Sequence, residues 1–278
     1  MNDYKVVKAL NNNVLIALDD NQREVVLIGK GIGFNKSKDS IIPENTVEKL
    51  FVLRNEKAQE HYKSLIPDLD ENTLNTIISS IEIIRRRTRT ILSEKVHVAL
   101  TDHILFATTR LLNGMAIKNP FLTETKALYP FEYEVAAEVV EFINHSMQID
   151  LPEGEIGFIA LHVHSAITDK AVSDVNRYSK LIIQLIEMIE VQLRVTIDRE
   201  GMEYARLLRH LRYTIERVLN DEIVQEPEKI ASLLKSEYPT CYNLSWKIIK
   251  IMQQTLKKPV YEAEAVYLTM HLQRLITK

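Results

Sequence analysis

Apolar and polar positions alternate with two different periods along this chain, and the change falls near residue 58. Before it, KVVKAL, NVLIAL, REVVLIG and VEKLFVL are short β-branched runs separated by turn-type stretches such as DDNQ and NKSKDS. That pattern predicts four antiparallel strands over roughly residues 1–55. Beyond it the period is helical. LNTIISSIEIIRRRTRTIL places Leu74, Ile77, Ile78, Ile81, Ile84, Ile91 and Leu92 largely on one face. YEVAAEVVEFINHSM, KLIIQLIEMIEVQL, YARLLRHLRYTIERVL and SWKIIKIMQQTL keep the same period.

The helical part repeats itself. YPFEYEVAAEVVEFI begins at Tyr129 and YPTCYNLSWKIIKIM at Tyr238. Thirty-three residues beyond each tyrosine stand His162, in EGEIGFIALH, and His271, in EAEAVYLTMH. Upstream, TDHILFATTRLL contains His103 and LRHLRYTIERVL contains His210, so the two histidines of each copy are 59 and 61 residues apart. Duplication of a helical module explains this economically, with the join near AITDKAVSDVNRYSK, where the apolar period lapses. The expected fold is therefore multidomain. A small all-β antiparallel domain (1–58) precedes two homologous all-α helical bundles (59–172 and 173–278).

Composition narrows the classes. A charged fraction of 26% and a hydrophobic fraction of 46% are those of an ordinary globular protein. No apolar run approaches the ~20 residues of a membrane helix, so membrane insertion is not expected. The start, MNDYKVVKAL, lacks the basic-then-apolar layout of a secretion signal. The single cysteine, Cys241, rules out an internal disulfide and fits a reducing, cytoplasmic setting. A net charge of -3 offers no broad basic field to a polyanion.

Candidate chemistry gathers in a few places. Asn11, Asn12 and Asn13 form an asparagine run longer than a turn needs. They make either an ordinary polar loop or a set of amides aimed at a partner that reads donors and acceptors. GKGIGF alternates Gly29, Gly31 and Gly33 beside Lys30 and Phe34, without the spacing of a phosphate-cradling loop. Strand glycines mark bulges or close backbone approach, and here they can admit unstacked bases with one ring ready to stack. RRRTR, Arg85 to Arg89, puts Arg85, Arg86 and Arg89 on one helix face, with Glu82 four residues before Arg86. A solvated, ion-paired face is the commoner outcome for such a run. A single helical histidine is usually packed or solvated, but a pair that recurs at matched places suggests metal binding or phosphoryl acceptance. His162 and His164, in HVH, fit metal only on a strand, and EIGFIALHVHSAI reads as helix.

Together these residues resemble the BglG/SacY/LicT family of bacterial transcriptional antiterminators. LNNNVLIA and VVLIGKGIGF look like the family's co-antiterminator RNA-binding domain, and the helical repeats like its paired phosphotransferase-system regulation domains. IGKGIGF, TDHI, NPFLTET, LPEGEIGFIALHVHSA and QQTLKKPVYEAEAVYLT are closest in wording to the glucose-permease branch. The resemblance implies a homodimer that holds a hairpin in a leader mRNA and keeps the overlapping terminator from forming. It carries RNA contact to Asn13, Gly29, Lys30 and Phe34, with Asn11 and Asn12 shaping the loop. Relatives often have Arg where this chain has Lys30, which keeps the charge but loses the planar fork. It also makes His103, His162, His210 and His271 phosphorylation sites. Phosphate would come from the phosphocarrier HPr or the glucose permease's IIB domain, so no ATP site, cofactor or metal is implied. The first module is expected to take the inhibitory signal from the permease and the second to answer to HPr. The protein is then a switch and no enzyme. Two rival readings are a metal-dependent helical hydrolase and a DNA-binding sugar-responsive repressor.

Overall fold

A computed structural model describes residues 3–52, 60, 70–90, 92–115, 118–223 and 228–276. The expected boundary at residues 58 and 59, His61 and Ile91 lie outside the described residues.

The N-terminal region is a five-stranded antiparallel sheet in the order β4-β1-β2-β3-β5. Its strands are β1 (Asp3–Ala9), β2 (Val14–Leu18), β3 (Glu24–Ile28), β4 (Ile41–Pro43) and β5 (Lys49–Val52). Four were expected. β4 escapes a sequence reading because it is three residues long and ends in proline, as an edge strand can. A register shift between Val6 and Lys8 bends β1 where it pairs with β2. β2 and β3 read as unbroken apolar runs because both faces of the sheet are covered. Tyr4, Val6, Leu15, Val25, Leu27, Ile32 and Ile42 pack on one face. On the other, Leu10, Val14, Ile16, Val26 and Ile28 pack against Leu74, Ile78 and Val98 of the first two helices. At about 25 cal/mol per Å² of apolar surface, such a face is a main source of the domain's stability.

The described helices are α1 (Glu71–Thr88), α2 (Glu94–Leu112), α3 (Leu122–Leu128), α4 (Pro130–Met147), α5 (Gly154–Thr168), α6 (Val172–Leu193), α7 (Met202–Leu219), α8 (Glu228–Glu237), α9 (Pro239–Leu256) and α10 (Glu262–Ile276). Asp70 caps α1, accepting from the Thr73 backbone N–H at 2.9 Å and its hydroxyl at 2.6 Å. These bonds hold the Asp70 carboxyl below its usual range. α1 stops at Arg89, which is left-handed at φ 54°, so the helix does not run on to Leu92 as its period suggests. Each Tyr-Pro pair opens a helix, because proline's missing N–H is no loss in a first turn. Between α5 and α6 the break is only Asp169 to Ala171, and VSDVNRYSK is already helical.

The arginine run serves structure. Glu82 takes Arg85 at 2.5 Å, three residues on, whereas the sequence spacing suggested Arg86. Arg86 and Arg87 instead reach Glu138 and Glu134 on α4. Arg89 leaves the shared helix face altogether by entering the left-handed cap.

The chain forms two compact units, residues 1–119 with 132–170, and 120–131 with 171–278. The first contains the sheet and a helical core of α1, α2, α4 and α5 around Ile84, Leu100, Val139 and Ile159. In the second, α3 packs on α7. Tyr204 of α7 donates its hydroxyl to Glu124 at 2.8 Å, and Arg212 lies over the Tyr129 ring, its guanidinium 5.5 Å from the centroid. Among the described helices none is long and apolar enough to cross a membrane.

Candidate functional sites

The asparagine run and the glycine run fold into one loop cluster. Asn11 forms an Asx turn, its side-chain oxygen accepting the backbone N–H groups of Asn13 and Val14 at 2.9 Å each. Asn13 is buried, and its side-chain oxygen accepts the Gly31 N–H at 2.7 Å. The amide oxygens of both residues are thus bonded within the loop. Asn12 is exposed, and its backbone carbonyl accepts the Gly33 N–H at 2.9 Å.

The glycines lie in the turn after β3, beyond the strand itself. Gly31 has φ +68°, a left-handed conformation that glycine adopts without cost. A Cβ on Gly33 would stand 2.2 Å from the Asn11 carbonyl oxygen, so only glycine lets the two loops close. Lys30 is exposed and its backbone N–H is held by Glu48 at 3.1 Å. Phe34 stands 60% exposed at the end of the turn, a ring with no burial to explain it. The cluster therefore presents Asn12, Lys30 and Phe34 on a frame made by Asn11, Asn13, Gly29, Gly31 and Gly33.

In each unit the repeated histidines meet. The rings of His103 on α2 and His162 on α5 have centroids 5.0 Å apart; those of His210 on α7 and His271 on α10 are 4.6 Å apart. Beneath each pair lies a buried carboxylate with an arginine, which sequence reasoning passed over. In the first unit Glu155 receives Arg110 and lies 3.1 Å from His103 Nε2. In the second, Glu264 receives Arg217 through two nitrogens, at 2.8 and 2.9 Å, and the Thr214 hydroxyl at 2.8 Å. His210 Nε2 is 3.8 Å from Glu264, too far for a hydrogen bond.

These four groups were legible as a repeat. Arg110 and Arg217 each follow the early histidine by seven residues, and Glu155 and Glu264 each precede the late one by seven. Seven residues are two helical turns, so each pair shares a face. Arg110 also lies 5.1 Å from the centroid of the exposed Phe106 ring, and Phe158 packs 5.9 Å from His103.

Burial and the neighbouring His103 hold His162 down at about 3, and burial with His271 holds His210 at about 4. Burial also lowers His271. Neutral imidazoles with a lone pair available are nucleophiles, and an ion pair behind them steadies the ring. His164 faces away from this pair. Its Nδ1 bonds Glu132 at 2.8 Å, while the corresponding places in the second unit are Gln273 and Cys241, whose thiol donates to Gln273 at 3.5 Å.

Comparison with known proteins covers the whole of this arrangement. The CAT RNA binding domain family matches residues 4–60, and the PRD domain family matches residues 78–166 and 183–275. The chain is 53% identical over 275 residues to the PtsGHI operon antiterminator of Bacillus subtilis, covering 99% of this chain and 98% of that protein. It is 45% identical over 274 residues to the GlcA/glcB genes antiterminator of Staphylococcus carnosus, covering 98% and 96%. The crystal structure of GlcT CAT-PRDI aligns at 51% identity with a TM-score of 0.54, over 60% of this chain and 99% of that one.

Proposed function

The chain belongs to the antiterminator family that joins a CAT RNA binding domain to two PRD domains, and from that premise we propose that it is a phosphorylation-controlled antiterminator for glucose-permease genes. The sheet domain binds a hairpin in the leader transcript, so that the overlapping terminator does not form and polymerase reads on. Asn12, Lys30 and Phe34 touch the RNA, and Asn11, Asn13 and Gly29 hold the loop that presents them. His103, His162, His210 and His271 accept phosphate from the phosphocarrier HPr or from the permease's IIB domain. The active species is a homodimer in the cytoplasm. The protein receives phosphoryl groups and turns over no substrate of its own.

The observation that carries this reading is the duplicated histidine pair, with ring centroids 5.0 and 4.6 Å apart over buried carboxylates. Each phosphorylation adds roughly two negative charges at such a pair, enough to redirect a helical surface. The metal-hydrolase and DNA-repressor readings are set aside, since the full-length relatives are antiterminators. A mobility shift of the full chain tests the proposal, using a leader hairpin against its terminator-only version, before and after treatment with phosphorylated HPr and IIB. Selective binding to the hairpin that changes with histidine phosphorylation is the expected result. Equal binding to both RNAs would remove the RNA reading.

A further inference from the structure

The two histidines of the first unit commit different nitrogens to the interior. His103 Nε2 lies 3.1 Å from Glu155 Oε2, and the Glu155 side chain is 1% exposed. A carboxylate oxygen only accepts, so Nε2 carries the ring proton and the lone pair stands on Nδ1. In His162 the arrangement is reversed. Its Nδ1 is sealed from solvent and has no hydrogen-bond partner among the described residues, in a residue only 8% exposed. No incoming phosphoryl group reaches that atom, which leaves Nε2.

Taking the proposed phosphorylation sites as given, we propose that His103 accepts the phosphoryl group on Nδ1 and His162 on Nε2, and that Glu155 is the positioning residue that fixes the choice at His103. The donor is a phosphohistidine or phosphocysteine of a carrier protein. The Nδ1 lone pair of His103 forms the new N–P bond as the donor's N–P or S–P bond breaks. The donor atom keeps the electron pair of the bond it loses. The His103 ring becomes an imidazolium with its proton still on Nε2, where the Glu155 carboxylate stabilises the new positive charge. At His162 the roles of the nitrogens exchange, Nδ1 keeping its proton inside the core.

The second unit has no such hold. Glu264 Oε2 is 3.8 Å from His210 Nε2 and is taken by Thr214, so His210 is not steered in this way. The choice of nitrogen is thus a property of the first unit.

The test uses the full chain with 15N in its histidine rings, phosphorylated by HPr and by the IIB domain charged from phosphoenolpyruvate. Phosphorus–nitrogen couplings are read in the His162→Gln and His103→Gln proteins, both also carrying His210→Gln and His271→Gln so that only one proposed site remains, and each first shown folded by circular dichroism. Coupling to Nδ1 in His162→Gln and to Nε2 in His103→Gln is expected. Glu155→Gln presents an amide that can donate to Nε2, so it should move a measurable share of the His103 label to Nε2. A purely structural carboxylate would lower the label without moving it. Phosphate on the same nitrogen of both histidines overturns the inference and leaves the phosphorylation sites standing. Absence of phosphate from both histidines, in protein labelled elsewhere, overturns the sites and the inference together. Failure of one histidine alone to label removes that half.

Discussion

Thr214 donates its hydroxyl to Glu264 at 2.8 Å, at the position where the first unit carries Ala107. Each residue lies four places after the early histidine of its copy, one helical turn along the same face. In the second unit the threonine fills a lone pair that, in the first, is left for the histidine. The hydroxyl, together with the second Arg217 nitrogen on the same oxygen, sets the 3.8 Å stand-off apart from the 3.1 Å approach of carboxylate to imidazole in the first unit.

Thr214→Ala should let Glu264 turn toward His210. His210 is held at about 4 by burial first, then by His271, with Glu264 acting in the opposite direction. A closer carboxylate strengthens that opposing influence, so the His210 ring should titrate at higher pH in the variant. The lost hydroxyl bond should cost about 1–2 kcal/mol of stability. Ring proton NMR across pH 3 to 8, with a chemical melt, checks both. An unchanged His210 titration would remove Thr214 as the cause.

Acid should destabilise the protein through these same rings. His162 and His210 titrate at about 3 and about 4 in the folded chain, below the 6.5 of a free histidine. Their stabilising contribution is then complete above pH ~6.5 and lost as pH falls toward the folded values, because the unfolded chain binds the proton first. Each ring contributes a slope of up to about 1.4 kcal/mol per pH unit in that window. Urea melts from pH 7.5 down to 5 should show falling midpoints, and His162→Gln should flatten the fall.

The loop cluster separates frame from contact. Asn13→Ala removes the acceptor of the Gly31 N–H and should destabilise the sheet domain by about 1–3 kcal/mol. Phe34 is 60% exposed, so Phe34→Ala should leave the melt unchanged. If the ring stacks on a base, that variant should weaken hairpin binding by about 1–3 kcal/mol. A thermal melt beside a mobility shift distinguishes the two kinds of residue. Full binding by a folded Phe34→Ala protein would take Phe34 out of the interface.

How far this was legible varies with what a pattern can encode. Period alone gave β2, β3 and the helices α1, α4, α6, α7 and α9, because burial forces apolar residues into register with the backbone. It gave nothing for Ile41–Pro43, too short to show a period. It carried α1 past Arg89, since a left-handed cap on a non-glycine residue leaves no apolar trace. The histidine pairs were visible as a spacing, and their approach needed the fold. Arg110 and Glu155 were equally visible in the repeat but are charged, and charge on a helix ordinarily faces water. That Asn13 serves Gly31, eighteen residues away, is a tertiary contact that no local rule contains.

Residues 1–58 taken alone should associate with themselves. Cutting there removes Leu74, Ile78 and Val98, which cover Leu10, Val14, Ile16, Val26 and Ile28 of the sheet. An apolar face so bared needs another cover, and a second copy offers a matching one. Sedimentation of the fragment should show a dimer, with hairpin binding appearing over the same concentration range. A stable monomer that binds the hairpin would show that the face needs no partner.

The first unit should be the inhibitory one, because its early histidine touches the buried ion pair: His103 lies 3.1 Å from Glu155, whereas His210 stands 3.8 Å from Glu264. Arg110 is buried and already engaged by Glu155. A phosphoryl dianion on His103 or His162 therefore adds negative charge beside a buried carboxylate without bringing a new cation. Two unit charges 4 Å apart interact by about 4 kcal/mol at an effective dielectric of 20, so repulsion of this order is large enough to shift α2 against α5. On the proposed reading this loosens the dimer and weakens its hold on RNA. His103→Asp carries less charge than phosphate but sets a carboxylate near Glu155, so it should push the same way. His103→Ala removes the acceptor and leaves the Arg110–Glu155 pair intact, so antitermination should stay on without glucose. Sedimentation of both variants beside a leader–reporter assay decides the matter. A reporter that stays off in His103→Ala, in folded protein that still binds the hairpin, would show that inhibition enters elsewhere.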